Sequence, residues 1–112
     1  MEYRFNENTF EEEVIRSDIP VMIDFYAKWC GPCRMMSPVV EKFAKEYEGR
    51  IKIGKVNVDE QTALAMKFGI QSIPSFVFIK NGEVVYTVTG AMPGVVLNRY
   101  LEDLVRSLQD SE

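Results

Sequence analysis

The sequence contains no histidine, and its two cysteines, Cys30 and Cys33, lie within one tetrapeptide. The lack of histidine excludes Ser-His and Cys-His catalytic dyads and every zinc or iron site with a histidine ligand. A stabilising disulfide framework is not expected either, because cross-links stabilise a fold by closing long loops and only two residues separate these cysteines. Thiol–disulfide exchange, in contrast, needs only the two thiols.

The chain also lacks long apolar runs and an excess of positive charge. Its apolar segments, such as residues 21–23 and 76–79, have the length of strands, whereas a helix that spans a membrane needs about 20 apolar residues. The net charge of −4 offers no basic surface for nucleic acid or anionic lipid. Residues 1–13 are acidic and lack the apolar core of a signal peptide. We therefore expect a cytoplasmic protein that binds neither nucleic acid nor membrane.

The length and composition indicate one ordinary globular domain. With 112 residues, of which 46% are hydrophobic and 27% charged, the chain can enclose one hydrophobic core but not two. We find neither an internal repeat nor a linker along it. We expect residues 1–112 to form a single domain.

Strand and helix patterns alternate along the chain. Residues 21–27 are almost all apolar, which is typical of a central strand covered by helices on both faces. Thr9 and Glu12 have the spacing of a capping box that starts a helix, and residues 18–20 end that helix. The remaining predicted elements are an edge strand at 3–5, a strand at 51–58, a short helix at 62–68, and strands at 75–80 and 83–89.

Two longer helices are predicted from apolar residues at helical spacing. The first follows the cysteines and carries Met36, Val39, Val40, Phe43, Ala44 and Tyr47; the second carries Leu97, Tyr100, Leu101, Leu104, Val105 and Leu108. Asn81-Gly82 predicts a tight antiparallel hairpin, since both positions of such a turn need positive φ. The predicted fold class is α/β, with a central mixed sheet of about five strands, parallel except for the antiparallel hairpin, and about four helices on both faces.

The two cysteines stand where a strand passes into a helix. A helix N-terminus favours an anion, so Cys30 is expected to be the reactive thiolate, and Cys33, one turn later, can resolve a mixed disulfide. Gly31 permits a close turn, and Pro32 fits the first turn of the helix. Two other interpretations remain open: a zinc or iron–sulfur half-site, for which two thiolates alone are too few ligands, and a pair of inert buried thiols.

The segment Phe25-Tyr26-Ala27-Lys28-Trp29-Cys30-Gly31-Pro32-Cys33 resembles the active-site segment of the thioredoxin family. Other matching features, in chain order, are Asp24, Pro38, Lys55-Val56-Asn57-Val58-Asp59, Ile73-Pro74, Asn81-Gly82 and Gly90-Ala91. The resemblance implies the thioredoxin fold and a protein disulfide reductase that carries electrons in a redox-active Cys30–Cys33 disulfide, without cofactor or metal. It also implies thioredoxin reductase and disulfide-containing target proteins as partners. We expect the chain to be a monomer.

The resemblance also assigns roles to residues outside the cysteine pair. Asp24 interrupts an apolar run, so burial should raise its pKa; the resemblance implies that it accepts the proton of Cys33 and that Lys55 tunes it. An exposed strand edge is the alternative for Asp24. The resemblance further implies a cis Ile73–Pro74 bond and a substrate groove formed by Trp29, Gly31, Pro32, Ile73, Pro74, Gly90 and Ala91.

Departures from the family pattern occur at Tyr26, where many members carry a second tryptophan, at Ser72, and at residues 92–94. The departures at Ser72 and at residues 92–94 concern partner choice around the groove. Two other functions remain as alternatives. One is an oxidase or isomerase of the same fold, and the other is an interaction module whose role does not depend on redox chemistry.

Overall fold

The computed structural model describes residues 2–110, and their side chains as far as residue 106. The elements are β1 (Tyr3–Arg4), a π-helical turn (Glu11–Ile15), β2 (Val21–Tyr26), α1 (Gly31–Glu46), β3 (Lys52–Asn57), α2 (Thr62–Lys67), β4 (Ser75–Lys80), β5 (Glu83–Thr89) and α3 (Gly94–Asp110). Most predicted bounds are confirmed to within one residue. The side chain of Leu108 lies outside the described part of the chain.

The five strands form one mixed sheet in the order β1-β3-β2-β4-β5. Strands β1, β3 and β2 are parallel to one another, whereas β4 runs antiparallel to both β2 and β5. The predicted central position of β2 is confirmed, and its residues from Val21 to Phe25 are buried. The predicted hairpin is also confirmed, with φ of 54° at Asn81 and 79° at Gly82.

Each face of the sheet is covered by helices, as the continuous apolar runs predicted. On one face, Met22, Phe76 and Phe78 pack with side chains of α1 and α3. On the other face, residues such as Ile23 and Val77 pack with the π-helical turn and α2. Because side chains alternate along a strand, Asp24 shares the face of Met22, which is the face that α1 covers. This alternation directs Asp24 toward the helix that begins at the cysteines.

The prediction of a capping box at Thr9 is wrong. The residue before the π-helical turn is Phe10, which has helical backbone angles and makes no side-chain cap. Asn6 organises the turn instead: its Oδ1 accepts from the backbone N–H groups of Asn8 and Thr9 at 2.8 and 3.0 Å. The carbonyl of Thr9 accepts from the N–H of Glu13 at 2.8 Å, and its hydroxyl oxygen accepts from the N–H of Asn6 at 3.2 Å. Asn6 and Thr9 therefore form a reciprocal capping pair, in which Asn6 and not Thr9 has the N-cap role.

The helix stripes pack as predicted, with small differences at their edges. In α1, Met36, Val40, Phe43 and Ala44 are buried and Val39 is half-buried. In α3, Leu97, Leu101 and Leu104 are fully buried. Within residues 2–110, no helix is both long enough and apolar enough to cross a membrane.

Candidate active site

Cys30 and Cys33 form a disulfide at the N-terminus of α1, with their Cα atoms 5.2 Å apart. Cys30 is the N-cap residue of that helix, and its extended backbone lies just outside the helical turn. The backbone N–H of Cys33 donates to Sγ of Cys30 at 3.2 Å. Sγ of Cys30 thus accepts a backbone hydrogen bond and lies at the positive end of the helix dipole. Both interactions favour negative charge on Cys30 when the pair is reduced.

A second loop brings Ile73 and Pro74 against this sulfur. The Ile73–Pro74 peptide bond is cis, and the carbonyl oxygen of Ile73 lies 3.9 Å from Sγ of Cys30. The N–H of Gly90 donates to the carbonyl of Pro74 at 2.8 Å, which holds the end of β5 beside the same loop. Residues from three separate parts of the chain, namely Cys30, Ile73 with Pro74, and Gly90, are therefore brought together.

The other groove residues named from the sequence lie at or near the surface. Gly31 is half-buried, whereas Pro32 and Ala91 are exposed; Ala91 follows Gly90 directly. Trp29 is 69% exposed, so its ring is available to a partner protein. Among the described residues, no group of three or more potential ligands of the His, Cys, Asp or Glu type is arranged to hold a metal ion.

The indole of Trp29 is held by a residue that the sequence analysis did not assign to the site. Nε1 of Trp29 donates to Oδ2 of Asp59 at 2.8 Å. Asp59 follows β3, and Trp29 follows the neighbouring parallel strand β2, so the two residues leave the sheet at the same edge. The order of the strands, which places β3 beside β2, therefore accounts for this contact.

Asp24 is buried below the cysteines, with 2% of its surface exposed, and does not lie at an exposed strand edge. It shares a cavity of about 290 Å³ with Cys33 and Lys55. Burial raises the pKa of Asp24 from 3.8 to about 7; the positive charge of Lys55 opposes this rise, and the negative charge of Glu2 adds to it. Oδ1 of Asp24 is buried and makes no hydrogen bond with the described residues. A carboxyl group in this state can exchange a proton near neutral pH.

Glu2 is a second site residue that the sequence pattern did not indicate. Its Oε1 lies 3.7 Å from Nζ of Lys55, and the two side chains are only 12% and 10% exposed. Lys55 is aligned with Asp24 across the β2–β3 pair and with Arg4 across the β1–β3 pair. The pairing of the edge strand β1 with β3 therefore places the carboxylate of Glu2 beside Lys55. This is the lysine that, by the resemblance, tunes Asp24.

The amino-acid sequence was compared with a family model and with known proteins, and both comparisons indicate the same family. The thioredoxin family model matches residues 2–103. The chain belongs to the thioredoxin family. Similar relatives include thioredoxin 1 of Nostoc sp., 50% identical over 96 residues that make up 86% of this chain and 90% of the relative. The thioredoxin of Haemophilus influenzae is 47% identical over the same shares of the two chains, and that of Porphyra purpurea is 48% identical over 87% of this chain and 91% of the relative.

Membership of the thioredoxin family defines the class of reaction. Thioredoxins are disulfide oxidoreductases, and the predicted fold and family resemblance are both confirmed. In this chain, the Cys30–Cys33 disulfide at the start of α1 is the redox group. The chain therefore performs reversible dithiol–disulfide exchange with a redox group that belongs to the polypeptide itself.

Proposed function

We propose that reduced Cys30 attacks disulfides of other proteins and that Cys33 completes the transfer. The Cys30 thiolate bonds to one sulfur of the target disulfide, and the other target sulfur leaves as a thiolate. The Cys33 sulfur then attacks Sγ of Cys30, which forms the intramolecular disulfide and releases the second target thiol. Two electrons pass from the pair to the target, and the target thiols take up two protons.

The hydrogen bond from the Cys33 N–H to Sγ of Cys30 is the observation that best supports these roles. At 3.2 Å, this donor stabilises negative charge on Cys30 and not on Cys33. The sulfur of Cys33 lies one helical turn farther along, within bonding reach of Cys30. Attack by Cys30 and resolution by Cys33 follow from this difference between the two positions.

Asp24 is proposed to accept the proton of Cys33 before the resolving step. Both residues line the same cavity, in which a water molecule could connect the carboxylate to the thiol. The pKa of Asp24, raised to about 7 by burial, means that it can bind this proton and release it again near neutral pH. Lys55, which lines the cavity as well, is proposed to tune this proton exchange.

A target segment is proposed to bind in extended form across the substrate groove. The carbonyl of Ile73, close to Cys30, can accept a hydrogen bond from the backbone of such a segment. The exposed ring of Trp29 and the exposed Pro32 add apolar contacts beside the reacting sulfur. Gly31, Pro74, Gly90 and Ala91 complete the proposed groove.

The partners are proposed to be disulfide-containing target proteins and a thioredoxin reductase that returns the pair to the dithiol state. We further propose that residues 1–112 act as a single domain, as a monomer in the cytoplasm.

The assigned order of attack is tested by replacing each cysteine in turn. Reduced Cys33→Ser should form a stable mixed disulfide with a model disulfide protein, because Cys30 can still attack but no resolving thiol is present. Reduced Cys30→Ser is the matched control and should form little adduct. Non-reducing electrophoresis and mass spectrometry measure both products. Release of fully reduced target by Cys33→Ser at the normal rate, or equal trapping by both variants, would contradict the proposal.

A further inference from the structure

The charged groups next to Asp24 include one that the proposed mechanism does not use. Lys55 lines the cavity of Asp24, but the ion pair that it makes among the described residues is with Glu2, at 3.7 Å. The charge of Lys55 therefore acts on two carboxyl groups, that of buried Asp24 and that of half-buried Glu2. Each of them also has a buried oxygen without a hydrogen-bond partner in the described part of the chain, namely Oε2 of Glu2 and Oδ1 of Asp24.

The position of Glu2 follows from strand pairing. Tyr3 is aligned with Gly54, and Arg4 with Lys55, in the parallel β1–β3 pair. Side chains alternate along a strand, so Glu2 and Arg4 lie on the same face of the sheet as Lys55 and Asp24. Gly54 allows this close approach, because a Cβ atom at that position would lie only 2.8 Å from Cβ of Tyr3.

We propose that Glu2 is a positioning residue of this active site, which shares the Lys55 ammonium with Asp24 and so keeps Asp24 able to hold a proton near neutral pH. If Lys55 interacted with Asp24 alone, its full positive charge would favour the ionised carboxylate and weaken proton uptake from Cys33. The inference rests on the proposed role of Asp24 in the exchange reaction. It assigns a chemical role to a residue at the start of the chain, far in sequence from the cysteines.

The remaining charged groups around this cluster are Arg4 on β1, Lys28 before α1, and Arg34 and Glu41 on α1. Tyr26 contributes a ring that lies 4.8 Å from Nζ of Lys55 and a hydroxyl that accepts from Arg4 at 3.3 Å. A substitution of Glu2 alone leaves all of these groups in the chain. A Glu2→Gln variant therefore removes one negative charge at nearly constant shape.

The test measures the titration of Asp24 directly in the oxidised protein, where the cysteines do not titrate. Side-chain carboxyl carbons are followed by ¹³C NMR between about pH 4 and pH 9. Glu2→Gln should lower the titration midpoint of Asp24 by about half a pH unit, a roughly threefold change in its proton dissociation constant. Glu2→Ala should give the same midpoint as Glu2→Gln, because both variants remove the same charge.

The matched control is Glu12→Gln. Glu12 also has an N···O distance of 3.7 Å to a basic residue, Arg16, but the two side chains are 76% and 69% exposed. This variant should leave the Asp24 midpoint where it is in the unmodified protein. An Asp24 midpoint that stays unchanged or rises in Glu2→Gln, that falls only in Glu2→Ala, or that falls equally in Glu12→Gln would overturn the proposal.

This titration does not depend on the exchange reaction. If Asp24 turned out to have no part in proton transfer, exchange rates would be insensitive to Asp24→Asn, yet the NMR midpoint would still respond to Glu2. Failure of the mechanism proposed for Asp24 and failure of the role proposed for Glu2 are therefore separate results.

Discussion

Replacing Asp24 with asparagine should stabilise the oxidised protein, and the gain should depend on pH. Burial raises the pKa of Asp24 from 3.8 to about 7. At pH values between 3.8 and about 7, Asp24 holds a proton in the folded protein but has lost it in the unfolded chain. The free energy of unfolding therefore falls as the pH rises through this range and stops falling above about pH 7. A difference of about three pH units corresponds to a cost of about 4 kcal/mol. Asparagine has nearly the same shape and cannot ionise, so it avoids this cost.

Urea unfolding of the oxidised protein at about pH 4 and pH 8 measures the effect. The free energy of unfolding of Asp24→Asn should exceed that of the unmodified protein by up to about 4 kcal/mol at the higher pH and by less than about 1 kcal/mol at the lower pH. The other titrating groups are common to both proteins, so their contributions cancel in the comparison. Asp18→Asn, which removes an exposed carboxylate, is the control. An equal difference between Asp24→Asn and the unmodified protein at both pH values would refute the reasoning.

Three further measurements test the site and the residues that support it. Asp24→Asn should slow the reduction of a model disulfide protein at least about tenfold near pH 7, measured as the rate of target thiol formation; equal rates at all pH values would contradict a role in proton transfer. Asp59→Ala should free the ring of Trp29, the single tryptophan of the chain, and lower its fluorescence anisotropy, whereas unchanged anisotropy would show that the hydrogen bond does not hold the ring. Gly54→Ala should destabilise the protein by about 1–3 kcal/mol, because the new Cβ would lie 2.8 Å from Cζ of Phe5; urea unfolding with an unchanged midpoint would contradict this.

Features that depend on neighbouring residues could be predicted from the sequence. The predicted bounds of β4 and β5 are confirmed. The two-residue turn at Asn81 and Gly82, both with positive φ, determines the residue at which β4 ends and the residue at which β5 begins. The position of Asp24 in an apolar run correctly indicated burial, since a strand with helices on both faces leaves no exposed side for it. Local signals also compete, and at Thr9 an asparagine three residues earlier determines the turn.

Contacts between distant residues could not be predicted in the same way. Trp29 and Asp59 are 30 positions apart and meet only because β2 and β3 are parallel neighbours. The pairing of Glu2 with Lys55 depends on β1 adding to the edge of β3. Neither contact leaves a periodic pattern, and an acidic residue near the start of a chain usually indicates only an exposed charge.

The sequence by itself determined the reactive pair, the helix start beside it and the family, because these depend on residue types at short, fixed spacing. Only the tertiary structure decided which groups surround that pair. It placed the Ile73 carbonyl 3.9 Å from Cys30, gave Asp24 and Cys33 a common cavity, and brought Glu2 to Lys55. The physical reason is that proton affinity depends on burial and on charges within a few ångströms, and these are set by the order and register of the strands.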